Sequence, residues 1–451
     1  MALSDIVQVT ISILRAAVAA AGFGVPGIFG IHTRFAERYR SYTSLSGMAT
    51  DGFLTSDAEY VAAQSLLAGD VVPSRFIIGK LTALVAQQVD ITFAAFAEGT
   101  YTVTVNGTAH AYVTDGSATA AEIIDGLAAL INAGAQSALV TASNQGPNTS
   151  LRILSDVPGT AFTYAVASAG GASTMTPTLT TENHGVQEDM DEIRAAGAVW
   201  YGTMQTSRVS REIRNLAAWT ESNDVPPTIF MAQTSEATSG SAALDAAGTD
   251  VANILNTAGY TRTGLWWHSI DGEYADAAIL GRELPVDPGS DNWALKELVG
   301  ITPDSISDTY RTNLVGAEPG EGKNANIYYA LTAQNNITFR GTMASGDWID
   351  VIRFVDFLIA RIGEAVANLM LGSERVNFDE LGLQQIAAQV SGVLQAAKDA
   401  RKVTSFTVTV PDIADYTSDN RTARRLDPPI TFSAQLSGAL LNVQVDGSVT
   451  E

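Results

Sequence analysis

Both ends of the chain read as β-strands on slack tethers. At the front, Val7, Val9, Ile11 and Ile13 alternate with Gln8, Thr10 and Ser12, and at the back Leu441, Val443 and Val445 alternate with Asn442, Gln444 and Asp446. A period of two is the mark of a half-buried strand. Residues 16–30 follow the first strand and are rich in Ala and Gly, which reads as a connector. The backbone N–H and C=O groups of a tethered terminal strand need partners, and the edge of another sheet supplies them. The pattern predicts a chain that links to copies of itself, with Val7, Val9, Ile11, Ile13, Leu441, Val443 and Val445 at the subunit interface.

At 451 residues the chain exceeds one compact core, and about two to four domains are expected. Its 48 acidic and 26 basic residues leave a net charge of -22. That balance repels phosphate backbones, so the expected partners are proteins and not nucleic acid. The cations are mostly Arg, whose planar fork suits bidentate contacts at protein interfaces. The chain has no Cys, which excludes disulfides, thiolate metal sites and cysteine nucleophiles. The stretch 6–31 is apolar, but Asp5 precedes it, Arg15 interrupts it, and Gln8, Thr10 and Ser12 break it at strand spacing. A membrane span or signal peptide is therefore not expected, and the protein is read as soluble and made in a cytoplasm.

Charge marks one internal boundary, because Arg152 is the only basic residue between Lys80 and Arg194. The module there opens with strands at 89–96, 101–105 and 108–114, the last two joined by Asn106-Gly107, a two-residue hairpin turn. Thr119 and Glu122 announce a capped helix with Ile123, Ile124, Leu127 and Ile131 on one face and Gly134 as its stop. Short strands follow at 138–141, 151–154 and 162–165. From Met190 helix and strand alternate, with strands at 198–204, 228–232 and 263–267 and helices at 208–221, 242–257 and 274–282, the signature of an α/β layer. A strand at 75–78 adds to the same body, and the loop 287–292 reads as a junction. A long helix over 348–371 carries Ile349, Ile352, Val355, Ile359, Ile362, Val366 and Leu369 as a core stripe, with Asp350, Arg353, Arg361 and Glu364 on a polar side. A second helix over 381–400 and strands at 405–410, 430–436 and 440–445 close the chain.

The expected fold class is therefore a multidomain mixture of α/β and α+β. An arm and linker occupy 1–30, a discontinuous α/β body occupies 31–79 and 189–315, and a β-rich protruding insertion occupies 80–188. A C-terminal helix-plus-sheet domain, 316–451, ends in an exchangeable strand.

Few residues point to chemistry. Gly22, Gly24 and Gly27 match the spacing of a phosphate-cradling loop, but Pro26, Gly27 and Gly30 prevent the helix that such a loop needs, so no cofactor is expected. His32, His110, His184 and His268 lack metal-ligand spacing, and no metal site is expected. His268 and Ser269 end a strand with Asp271 and Glu273 nearby. Neighbours on a strand point to opposite faces, which argues against a nucleophile-base pair and for local hydrogen bonding by the histidine. Arg421, Arg424 and Arg425 form a basic cluster that suits either a solvated loop or carboxylates on a neighbour. The polar side of the long helix has the same two readings.

With these features in place, the chain resembles the tail sheath proteins of contractile-tailed bacteriophages over almost its whole length. The resemblance rests on the arm 4–14, Arg34-Phe35-Ala36-Glu37-Arg38-Tyr39, Asp51-Gly52-Phe53, and Gly346-Asp347-Trp348 ahead of the long helix. It rests also on Arg424-Arg425, the strand 430–436, Ser437-Gly438-Ala439-Leu440 and the final strand. Each motif is short, so order and spacing carry the likeness, and the middle of the chain does not align. The resemblance implies a non-enzymatic structural subunit without cofactors. Such subunits form stacked hexameric rings, a helical sheath around a tail tube, and meet baseplate and tail-terminator or neck proteins. They contract to drive the tube through the host envelope. It implies a place in the virion tail, assembled in the host cytoplasm, with the C-terminal domain facing the tube; a phage and a headless phage-derived injector fit equally. Two other classes stay open from the residues alone, an α/β enzyme of unknown specificity and a secreted adhesin or surface-layer protein.

Overall fold

The computed structural model describes residues 22–439 apart from 224, 225, 246, 319, 333 and 334. The arm residues Val7, Val9, Ile11, Ile13, Leu441, Val443 and Val445 lie outside them. The chain divides into two compact units, one taking in residues up to 30, 34–79 and 197 onward, the other 31–33 and 80–196.

The first unit opens with strands β1 (Pro26–Ile31) and β2 (Tyr39–Tyr42), helices α1 (Leu45–Thr50) and α2 (Ala58–Leu66), and β3 (Phe76–Leu81). The second unit follows: β4 (Gln88–Phe93), β5 (Thr100–Val105), β6 (Thr108–Val113), α3 (Ala120–Ala133), β7 (Val140–Gln145), β8 (Ser150–Ser155), β9 (Tyr164–Ala169), β10 (Met175–Thr181) and α4 (Val186–Ala195). The first then resumes with β11 (Gly202–Gln205), α5 (Ser210–Ser222), β12 (Ile229–Thr234), α6 (Thr238–Ser241), α7 (Val251–Thr257), β13 (Thr263–Trp267), α8 (Ala275–Glu283) and α9 (Asp308–Val315). It continues through β14 (Asn326–Thr332), β15 (Asn335–Phe339), α10 (Ile349–Gly372), α11 (Glu380–Asp399), β16 (Val403–Thr409), α12 (Ser418–Thr422) and β17 (Thr431–Leu436).

In the first unit eight strands form one sheet in the order β15-β14-β13-β12-β11-β1-β3-β2. From β1 through β14 the pairing is parallel, and antiparallel pairs close each edge. Every residue of β11, β12 and β13 is buried, so both faces of these strands are covered, with Thr203, Gln205, Gln233, Thr234 and Thr263 among the buried side chains. Helices α2 and α8 pack together, and α5 lies on β12 and β13. Each large side chain fully buried in such a core, Ile28, Phe76 or Trp266 for example, stabilises by about 1.5–3 kcal/mol.

Three expectations are corrected here. Residues 26–30 are not connector: Ile28 and Phe29 are fully buried in β1, near the middle of the sheet. Its glycines disguised it, and Gly30 is there because a Cβ would lie 1.9 Å from Glu59 Oε1 and 2.6 Å from Thr206 Oγ1. Residue 315 is no boundary either, since β14 and β15 extend the sheet and hydrogen-bond in the same ladder as β13. The helix expected over 242–257 is confined to α7, with Asp250 as its N-cap, and α6 ends at Ser241.

The second unit contains two antiparallel sheets, β10-β4-β8-β7 and β6-β5-β9, packed with α3 around a core of Val89, Tyr101, Val103, Ile124, Leu127, Leu151 and Ile153. Asn106 and Gly107 both take positive φ, 47° and 78°, as a mirror-image hairpin turn requires. Thr119 and Glu122 cap α3 reciprocally at 3.2 Å each way. Arg152 spans two strands to grip Asp90 with two 2.8 Å bonds.

Candidate assembly surface

Helix α10 is buried from two sides. Ile349 and Ala360 belong to the core under the large sheet, while Phe354, Leu358, Ile362 and Val366 belong to a second core with Val390, Leu394, Ala397 and Val403. A single apolar stripe does not describe such a helix. Val355, expected inside, is exposed, whereas Arg353 and Asp356 are buried.

Arg353 therefore departs from the solvent-facing role expected of it. Its guanidinium donates to the carbonyls of Glu283 at 2.8 Å and of Leu284 and Val286 at 2.7 Å. These are acceptors at the end of α8 that no intrahelical N–H reaches, and a cation there also meets the negative pole of the helix. Asp356 accepts two 2.9 Å bonds from Arg262 and one of 2.9 Å from the Tyr201 hydroxyl. Burial pushes the Tyr201 pKa well above that of an ordinary phenol.

The other three charged residues expected on the polar side are partly accessible. Asp350 is half-buried, and burial pushes its carboxyl up to about 6. Arg361 pairs with Glu364 at 2.8 Å and lies 5.0 Å over the Phe357 ring. Both line a groove of about 440 Å³ between α10 and α11, with Phe354, Phe357, Val393 and Ala397 as part of its walls and the Asp287–Lys402 ion pair beside it.

Beyond α11 the strands β16 and β17 form an antiparallel sheet of two. Phe406, Val408, Phe432, Ala434 and Leu436 turn toward the α10–α11 core and the intervening residues face outward. Among the described residues no third strand covers either edge, and a sheet of two is marginal without packing or further strands. The basic cluster lies in the connection between the two strands, Arg421 within α12 and Arg424 and Arg425 just after it. Arg421 donates to the carbonyls of Ile413 at 2.6 Å and Tyr416 at 3.4 Å, Arg425 pairs with Asp427 at 3.2 Å, and Arg424 is exposed.

The carboxyl ends of the parallel strands are where an α/β enzyme of this topology would hold its reacting groups. There His268 is buried between Asp304, 2.9 Å from Nδ1, and Glu273, 3.3 Å from Nε2. Burial pulls the imidazole's pKa down, but the two carboxylates outweigh it and hold it above the ordinary histidine value. The Ser269 hydroxyl donates to Asp304 at 2.5 Å and not to His268. Arg208 grips buried Asp276 at 2.7 and 3.2 Å and covers the Tyr274 ring at 4.6 Å. Glu59 is buried, and burial pushes its carboxyl up to about 7. His268, Ser269, Glu273 and Asp304 thus bond among themselves, as Arg208 does with Asp276.

No protein-family model and no curated protein matches the chain by sequence. Its fold is that of a contractile-injection-system sheath subunit. The helical sheath of the anti-feeding prophage in its contracted state superposes with a TM-score of 0.50 at 10% identity, over 98% of this chain and 97% of that one. A PVC sheath complex of an extracellular contractile injection system, also contracted, aligns over 98% of both chains at 10% identity with a TM-score of 0.43. A chain of the anti-feeding prophage baseplate aligns over 59% of this chain and 72% of its own at 10% identity, with a TM-score of 0.41.

Proposed function

We propose that the chain is a sheath subunit that polymerises with copies of itself around a rigid tube and contracts to drive that tube through a cell envelope. The observation that carries this reading is the β16–β17 pair, whose two edges lack partners among the described residues, in a chain whose two ends both have strand periodicity. The fold it shares with the anti-feeding prophage sheath over nearly its full length supports the same reading. Strands supplied by neighbouring subunits would complete the sheet, with Val7, Val9, Ile11 and Ile13 from one copy and Leu441, Val443 and Val445 from another. Such links are ladders of backbone hydrogen bonds, which tolerate rotation of the bodies they join, so the rings stay connected as they slide.

The reaction class is mechanical. Energy would come from the tighter packing of subunit against subunit in the contracted state, and no nucleotide or cofactor is used. Asp350, Arg361 and Glu364 are proposed to touch the tube, and Arg421, Arg424 and Arg425 to meet carboxylates of a neighbour. Exposed pairs of this kind contribute about 0.2–1 kcal/mol each and weaken with salt, which suits a grip that must let go. Baseplate and tail-terminator proteins would meet the two ends of the sheath in a virion or a headless injector assembled in a host cytoplasm. Electron microscopy of the purified protein tests the reading: hollow helical tubes are expected, and a monodisperse particle with no tubes at any salt or protein concentration would contradict it.

A further inference from the structure

A second groove, of about 330 Å³, is lined by the end of α2 and the residues after it, by α8, and by residues between 291 and 299. We infer that it receives Arg424 and Arg425 of a second copy of this chain. The inference rests on the proposed assembly of like subunits and names the carboxylates that the basic cluster meets.

The groove combines apolar surface with a surplus of negative charge. Ala278 and Leu298 are buried in its lining, while Val71 and Val299 are 59% and 54% exposed. Valines left open to water in the lining of a groove gain from being covered. The carboxylates of the lining are Asp70, Glu283, Asp291 and Glu297, and its one cation is Arg282. Arg282 pairs with Glu283 at 3.2 Å, and Lys296 pairs with Asp291. Asp70 and Glu297 are exposed and form no ion pair among the described residues. Burial, helped by the charge of Asp291, pushes the Glu283 carboxyl up to about 7, as happens where negative charge is short of partners.

A partner suited to this surface carries guanidinium groups on aliphatic stems. The stems cover valine, and the planar heads bind carboxylates with paired hydrogen bonds. Arg424-Arg425 is the one Arg-Arg pair in the sequence. Both residues are exposed, and in the chain's own fold neither lines the groove. Two guanidinium groups thus match two unpaired carboxylates, Asp70 and Glu297. The tie between Arg425 and Asp427, 3.2 Å long and exposed on both sides, is weak enough to be exchanged.

The backbone holds the pair at a fixed place. Helix α12 closes in a Schellman turn, where the Arg424 N–H donates to the Arg421 carbonyl at 3.2 Å and the Arg425 N–H to that of Asn420 at 3.0 Å. Arg424 therefore sits at a φ of 54°, in the left-handed position that glycine ordinarily fills. A side chain with a Cβ is strained there, so the turn alone gives no reason for an arginine. Bonds from Arg421 to the carbonyls of Ile413 and Tyr416 steady the same turn.

Charge reversal in the full chain tests the contact. Arg424→Glu/Arg425→Glu and Asp70→Arg/Glu297→Arg change only exposed side chains, so each should keep the wild-type circular dichroism spectrum. Each is expected to raise the protein concentration at which subunits associate, read by sedimentation, by about tenfold or more. An equimolar mixture of the two, in which every contact between unlike chains pairs opposite charges, should recover most of that loss. Because the protein has no Cys, a second measurement is independent of charge. Under oxidation, Arg424→Cys chains mixed with Val299→Cys chains should give a mixed disulfide dimer, whereas Arg424→Cys mixed with Leu371→Cys, an exposed site outside the groove, should not. Reversed variants that assemble as readily as wild type, or no dimer between Arg424→Cys and Val299→Cys chains, would overturn the inference and leave the proposed assembly standing. A wild type that never self-associates would overturn both.

Discussion

Arg262 and Asp356, 94 residues apart in sequence, meet through two hydrogen bonds of 2.9 Å each. Arg262 stands at the start of β13 and Asp356 in the second turn of α10, so the pair ties the long helix to the sheet. Both side chains are nearly out of water, at 12% and 4% exposure, which makes each the necessary counter-charge of the other. Asp356→Ala leaves a buried guanidinium unpaired and is expected to destabilise the protein by about 3–5 kcal/mol. The double variant Arg262→Met/Asp356→Leu, which removes both charges, is expected to recover most of that loss. Urea unfolding of the two variants checks it; a double variant no more stable than the single one would contradict the account.

Stability should fall as pH rises through the neutral range. Burial raises the carboxyls of Glu59 and Glu283 from 4.5 to about 7, and His268 is held above its ordinary value by Asp304 and Glu273 once the opposing effect of burial is overcome. Each group keeps its proton in the folded chain at a pH where the unfolded chain has lost it. The stabilisation is therefore complete below the unfolded pKa and is lost as pH climbs through the folded one. For Glu59 the loss is on the order of 3 kcal/mol between pH 5 and 8. Glu59→Gln should remove that share of the slope and be the more stable protein at pH 8. Parallel pH profiles for the two proteins in urea would contradict this.

Excision of residues 80–196 with a short Gly/Ser bridge should leave the first unit folded. The second unit closes its own core, from Val89 to Met175, and caps its own helix. The remaining chain keeps the eight-stranded sheet and the α10–α11 module. Circular dichroism and tube assembly of the shortened protein check the expectation, and loss of assembly as complete as that from removing residues 1–14 would overturn the proposal that this unit is peripheral to the sheath.

How much of this was legible in the sequence follows from how local each signal is. The Thr119–Glu122 cap, the Asn106-Gly107 turn and the strands at β12 and β13 depend on residues a few positions apart, and all are present where pattern places them. Strand β1 was hidden because Gly27 and Gly30 make close approaches that only the folded neighbours Ile77, Glu59 and Thr206 reveal. Strands β14 and β15 were hidden because Asn326, Asn335 and Asn336 weaken their apolar pattern. Arg353 looked like a surface charge because its acceptors, three backbone carbonyls 67 to 70 residues earlier, have no signature in sequence. The groove needs two helices side by side, and periodicity along either one does not report it.

The most direct test of the proposed sheath role is the effect of one backbone donor in the N-terminal arm. If the arm is the proposed inter-subunit strand, Val9→Pro removes an N–H from its ladder and fixes φ away from the strand value, whereas Val9→Ile keeps both the donor and the β-branched shape. Purified wild type, Val9→Pro and Val9→Ile are compared by sedimentation and electron microscopy, with circular dichroism confirming that each body is folded. The account predicts long tubes from wild type and Val9→Ile, and folded, unassembled subunits from Val9→Pro. Tubes of normal length from Val9→Pro would contradict it.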